Sequence, residues 1–101
     1  MTIVDPGHAS TTGITTPWTR VDEWYNFSGT LPADVHVLAK LDESSYTGGA
    51  MGADHPIAWT HVSAGGARAF YTAMGHTAES YADPPFRQHL AGALRWAAGR
   101  Q

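Results

Sequence analysis

No cysteine occurs among the 101 residues, which excludes a disulfide framework, a thiolate nucleophile and a zinc–thiolate cluster. Cationic side chains are few: six Lys plus Arg against nine Asp plus Glu give a formal charge of −3 and an isoelectric point near 6.0. With no basic stripe to neutralise phosphates, neither nucleic acid nor an anionic membrane surface is an expected partner. No stretch reaches the roughly 18 consecutive apolar residues that a membrane-spanning helix needs. The opening MTIVDPGHAS lacks the basic start and apolar run of a secretory signal. Cytoplasmic and secreted locations both stay open. Internal repeats, heptads and low-complexity tracts are also missing.

What is present suits one small globular domain: 43% of residues are hydrophobic and 11% aromatic, too apolar for a disordered chain. The first twenty residues read as a short strand at Ile3-Val4 followed by a long Pro-, Gly-, Ser- and Thr-bearing loop. Val21 to Phe27 is β-branched and aromatic and is expected as a strand. The run DVHVLAKLDE is expected as a second strand, with Val35, Val37, Ala39 and Leu41 on one face and His36, Leu38 and Lys40 on the other. A glycine-rich loop, SSYTGGAMGAD, follows it. PIAWTHV and ARAFYTAM, joined by Ser63-Ala64-Gly65-Gly66, predict an antiparallel hairpin. From Phe86 the period turns helical, with Leu90, Ala93, Leu94 and Ala97 as the apolar stripe. Asp83 is the expected N-cap, Pro84 opens the first turn, and Gly99 lies near the stop.

Three polar places stand at strand ends, where a scaffold fixes the backbone and leaves side chains open to a ligand. They hold Asp22, Glu23 and Tyr25; Asp54 and His55; and His76 with Glu79, three residues apart in AMGHTAESYADPPF. An imidazole with a carboxylate can relay a proton or bind a divalent metal, and spacing alone does not choose between the two. The same residues can also cap a helix or hydrogen-bond loop backbone. Trp24, Trp59, Tyr71 and Trp96 serve equally as core or hairpin packing.

Taken in order, DEWYNF, VHVLAKLDESSYTGGAMGADHPIAW and GGARAFYTAMGHTAESYADPPFRQHLAGALRWAAG resemble the C-terminal half of the ThuA-like, or trehalose-utilisation, family, from about DPGHAST to the end. The resemblance implies an α/β fold: a partial flavodoxin-like, class I glutamine amidotransferase-like sheet with a β-hairpin and a C-terminal helix. It further implies that residues 1–101 are the C-terminal portion of a single domain whose N-terminal half has no counterpart here. Such a piece would expose a sheet edge through which it could self-associate. In the family the equivalents of DEWY, HPIAW and GHTAES are its recognisable motifs, which makes Glu23, Tyr25, His55, His76 and Glu79 candidate pocket residues.

The expected ligand is a small carbohydrate, trehalose or a related sugar, an oxidised one included. The expected catalytic groups are His76, Glu79 and Glu23; Asp22, Tyr25, His55 and Trp59 are the expected substrate contacts. A divalent metal such as zinc, held by His76 and Glu79, is the candidate cofactor. Two alternatives stand beside this reading. One is a non-catalytic sugar-binding module in which Trp24, Tyr25 and Trp59 stack on sugar faces. The other is a truncated fragment with no activity of its own.

Overall fold

The computed structural model describes residues 1–20, 22, 24, 26, 35–46, 48–51, 55–76 and 78–99. Its elements are strands β1 (Thr2–Ile3), β2 (His36–Lys40), β3 (Pro56–Val62) and β4 (Arg68–Thr72), then helix α1 (Pro84–Ala97), with 3-10 turns at Glu43–Ser45 and Ala78–Ala82. The four strands form one sheet in the order β1-β2-β3-β4, antiparallel throughout. The protein is thus a mixed α/β domain, a four-stranded antiparallel sheet plus a C-terminal helix, compatible with a partial flavodoxin-like fold.

The hairpin forms where the glycine pair predicts it. Thr60 lies opposite Phe70 and Val62 opposite Arg68, and the turn closes with Ser63 N–H donating to the Ala67 carbonyl at 2.9 Å. Gly66 sits at φ +87°, a conformation that a side chain would strain. The expected strand at 21–27 is not seen in its described members: Asp22, Trp24 and Asn26 are irregular, and the other four positions lie outside the described residues.

β2 departs from the expected alternation. Leu38 and Ala39 are both fully buried, because the pairing with β3 shifts register on both sides of Ala39, and a bulge turns consecutive side chains to the same side. Leu38, Ala39, Ile57, Ala58, Met74 and Phe86 belong to one core cluster with Ile3, Ile14 and Trp18 from the N-terminal segment. Burying Phe86 contributes on the order of 2–3 kcal/mol.

Helix α1 starts as its sequence requires. Asp83 accepts from Phe86 N–H at 3.3 Å, Pro84 occupies the first turn, and Gly99 follows the last turn at φ +82°. Its buried stripe is not the expected one. Phe86, His89, Gly92, Ala93 and Trp96 face inward, whereas Leu94 is 72% exposed and Ala97 is exposed too. The stripe is rotated because two residues that hydropathy scores poorly, His89 and Gly92, take the contacts with the N-terminal loop.

His89 is fully buried between that loop and β4. Its Nδ1 lies 2.9 Å from the Ser10 carbonyl and its Nε2 3.2 Å from Thr72 Oγ1. A carbonyl only accepts, so Nδ1 carries the proton and Nε2 accepts from the threonine hydroxyl. Burial pushes this imidazole down to about 4, against the opposing effect of the Ser10 bond and helped by the charges of Arg20 and His8. Gly92 lets the loop come closer still, since a Cβ there would stand 2.0 Å from the Ala9 carbonyl oxygen.

Candidate functional site

Two polar clusters and a cleft are built on this frame. The first cluster centres on Arg20 and Asp22. The Asp22 carboxylate, with its side chain fully buried, accepts from Arg20 Nη2 at 3.0 Å, from Gly75 N–H at 2.7 Å and from His76 N–H at 3.0 Å. Gly75 makes the close approach possible: it sits at φ +97°, and a Cβ would fall 2.8 Å from Tyr81 Oη and 2.9 Å from Phe86 Cζ. Arg20 also donates to Ser80 Oγ at 2.5 Å, pairs with Asp83 Oδ2 at 3.5 Å and lies 4.5 Å from the Phe86 ring centroid. One guanidinium therefore joins the N-terminal segment, the loop after β4 and the cap of α1.

The second cluster stands at the start of β3. Asp42 caps the 3-10 turn, accepting from Ser44 N–H at 3.0 Å and from Ser44 Oγ at 2.6 Å; these two bonds hold its carboxyl below the usual carboxylate range. The turn presents Glu43 and delivers Tyr46. Glu43 Oε2 lies 2.7 Å from His55 Nδ1 and accepts from Met51 N–H at 2.8 Å. The Tyr46 hydroxyl lies 3.2 Å from the same His55 Nδ1. Burial, and then the Glu43 charge, push the Tyr46 phenol above its ordinary value, so it is protonated at neutral pH.

Between the two clusters opens a cleft of about 680 Å³, within the size range of small-molecule sites. Its described wall includes Met1, Trp18, Arg20, Asp22 and Trp24 together with Leu41, Asp42, Ser45 and Tyr46.

Of the sequence-predicted residues, Asp22 lines this cleft. His55 is fully buried behind it, touching the lining residue Tyr46. His76 is exposed and tied to Asp22 through its backbone, and Glu79 is exposed on the 3-10 turn at Ala78–Ala82. Trp59 stacks on Tyr71 at 4.4 Å between ring centroids. Tyr71 alternates with Phe70 and Thr72, which meet His89, so this pair lies on the sheet face opposite α1. Glu23, Tyr25 and Asp54 lie outside the described residues. Among the described residues no group of three or more His, Asp or Glu is placed to hold a metal ion.

Sequence reasoning passed over Arg20, Glu43 and Tyr46. Arg20 carried one signal, a rare cation two residues after a tryptophan. Glu43 and Tyr46 carried almost none, because only the turn geometry aims them at His55.

The fold and the cleft define a mixed α/β domain that carries an aromatic and carboxylate-lined cleft. More specifically, the chain belongs to the ThuA family, described as trehalose utilisation, whose match extends over residues 1–97. No curated protein and no solved structure matches it. At family level its role is therefore in trehalose utilisation.

Proposed function

We propose that the cleft binds an uncharged sugar, trehalose in the first instance, and that the chain is part of a carbohydrate-processing enzyme. The observation that carries this reading is the composition of the cleft wall. Trp18, Trp24 and Tyr46 supply aromatic surface, and Asp22 and Asp42 supply carboxylates, which accept short hydrogen bonds from hydroxyls. Sugar rings offer apolar C–H faces and hydroxyl edges, which such a wall complements.

The charge balance narrows the class. Against the Arg20 guanidinium and the Met1 ammonium on the described wall stand the carboxylates of Asp22 and Asp42; Arg20 is engaged by Asp22 and Asp83, and the ammonium donates to the Trp18 carbonyl at 2.9 Å. A phosphorylated sugar would find both of these cations already engaged and would meet the two carboxylates. In this reading Asp22 orients the substrate. The imidazole of His76 and the carboxylates of Glu79 and Glu23 remain the proposed proton-handling groups, and no step is assigned to a metal.

Calorimetric titration with trehalose and with its 6-phosphate tests the proposal. Saturable binding of trehalose, with the phosphate weaker by roughly tenfold or more, is the expected result. Equal or tighter binding of the phosphate would overturn the charge argument, and absence of trehalose binding would overturn the sugar reading. A binding module without turnover is the second reading, since Trp24 lines the cleft. Sustained trehalose binding with no product by anomeric proton NMR would favour it.

A further inference from the structure

The Tyr46 hydroxyl and the Glu43 carboxylate converge on a single nitrogen, His55 Nδ1, at 3.2 and 2.7 Å. A carboxylate can only accept, so the short contact to Glu43 requires Nδ1 to carry a proton. A protonated Nδ1 has no lone pair left, and the phenol cannot donate to it. Tyr46 Oη is then at most a second, longer acceptor for that N–H, and its own O–H must point elsewhere. Among the described residues this hydroxyl proton meets no other acceptor, and Tyr46 forms part of the cleft wall.

Resting on the sugar-binding reading of the cleft, we infer that Tyr46 is a substrate-binding residue whose hydroxyl donates a hydrogen bond to a sugar oxygen. His55 and Glu43 act as positioning residues that keep the phenol from turning inward. The sugar oxygen is a hydroxyl or a carbonyl, either of which accepts. The arrangement has a built-in orientation. Glu43, fixed by Met51 N–H at 2.8 Å, sets the imidazole tautomer, and the tautomer sets the direction of the phenol. Because burial and the Glu43 charge both hold the phenol in its protonated form, the donor is present throughout the neutral range.

The experiment is calorimetric titration of the full chain with trehalose and with a panel of its monodeoxy analogues, on native protein, Tyr46→Phe, Glu43→Ala and Glu43→Gln, with circular dichroism confirming that each variant is folded. Tyr46→Phe removes only the hydroxyl and should weaken trehalose binding by roughly 3- to 10-fold. One monodeoxy analogue, lacking the oxygen that Tyr46 contacts, should bind native protein and Tyr46→Phe equally. A merely structural tyrosine would lose affinity for every analogue alike. Glu43→Ala frees Nδ1 to accept the phenol proton and should cost as much as Tyr46→Phe, with no further loss in the double variant. Glu43→Gln, whose amide oxygen still accepts from Nδ1, should recover most of the affinity. Tyr46→Phe binding trehalose as tightly as native protein would overturn this assignment and leave the cleft reading standing; native protein that fails to bind trehalose would overturn both.

Discussion

Lowering the pH should unfold this protein through one histidine on the helix rather than through the exposed ones. His89 sits fully buried with its Nδ1 proton on the Ser10 carbonyl and its Nε2 against Thr72 Oγ1. Its pKa falls from 6.5 to about 4 on folding, chiefly because burial disfavours the imidazolium. In the unfolded chain the ring takes up a proton near 6.5, so the unfolded state binds more protons throughout the window between 6.5 and 4. The contribution of His89 is therefore complete above pH 6.5 and is lost as the pH falls towards 4. At 1.36 kcal/mol per pH unit the loss is roughly 2 kcal/mol at pH 5 and about 3 kcal/mol at pH 4. For a domain with the marginal stability expected at this length, that is a large fraction of the whole. Urea unfolding at pH 8, 6.5, 5.5 and 5 measures it, comparing native protein with His89→Gln, whose amide offers a donor and an acceptor but does not titrate. His8, which burial also lowers, remains in both proteins and cancels in the comparison. The native midpoint should fall over this range and the variant's should fall much less. Parallel curves for the two proteins would refute the reasoning.

Two other perturbations follow from the same packing. Gly92→Ala would gain about 1 kcal/mol of helix propensity in isolation, yet its Cβ would land 2.0 Å from the Ala9 carbonyl oxygen and 2.5 Å from the Ala9 carbonyl carbon; a net loss of about 2 kcal/mol, read as a melting temperature lower by roughly 10 °C, is expected. Arg20→Lys keeps the charge but cannot serve Asp22, Ser80 and Asp83 while stacking on Phe86; a loss of about 1–3 kcal/mol by denaturant unfolding is expected, and a midpoint unchanged from native would sink the clamp.

The parts of the fold that local chemistry dictates were legible in the sequence. Asp83, Pro84 and Gly99 mark the ends of α1 with residues whose capping physics needs no partner, and the β3–β4 hairpin follows from a glycine pair between two β-branched and aromatic runs. What was not legible depends on a distant partner. The apolar stripe of α1 was misplaced because His89 and Gly92 face inward only in the presence of Ser10 and Ala9, 79 and 83 residues earlier in the chain. The alternation of β2 failed at Ala39 because a bulge is a property of a strand pair. At the site, Asp22 and the Gly75-His76 loop were each singled out, but a buried carboxylate holding that loop by its backbone is a relation across 53 residues. Residue type made His55 visible, whereas Glu43 and Tyr46 acquire meaning only once the turn at Glu43–Ser45 folds them onto it.

The two clusters differ in what they can contribute to chemistry. Arg20, Asp22, Ser80 and Asp83 form a network of charge and hydrogen bonds whose members hold one another, and the Asp22 carboxylate accepts from a guanidinium and from two backbone N–H groups. Asp22 thereby fixes the loop that carries His76. Around His55 the balance is reversed. There a phenol is held in its protonated form, beside an imidazole whose tautomer is set by a carboxylate. The cleft wall holds the Asp22 and Asp42 carboxylates together with the Tyr46 phenol, so it offers a polyol both acceptors and a donor, and each sugar hydroxyl can give one hydrogen bond and accept another.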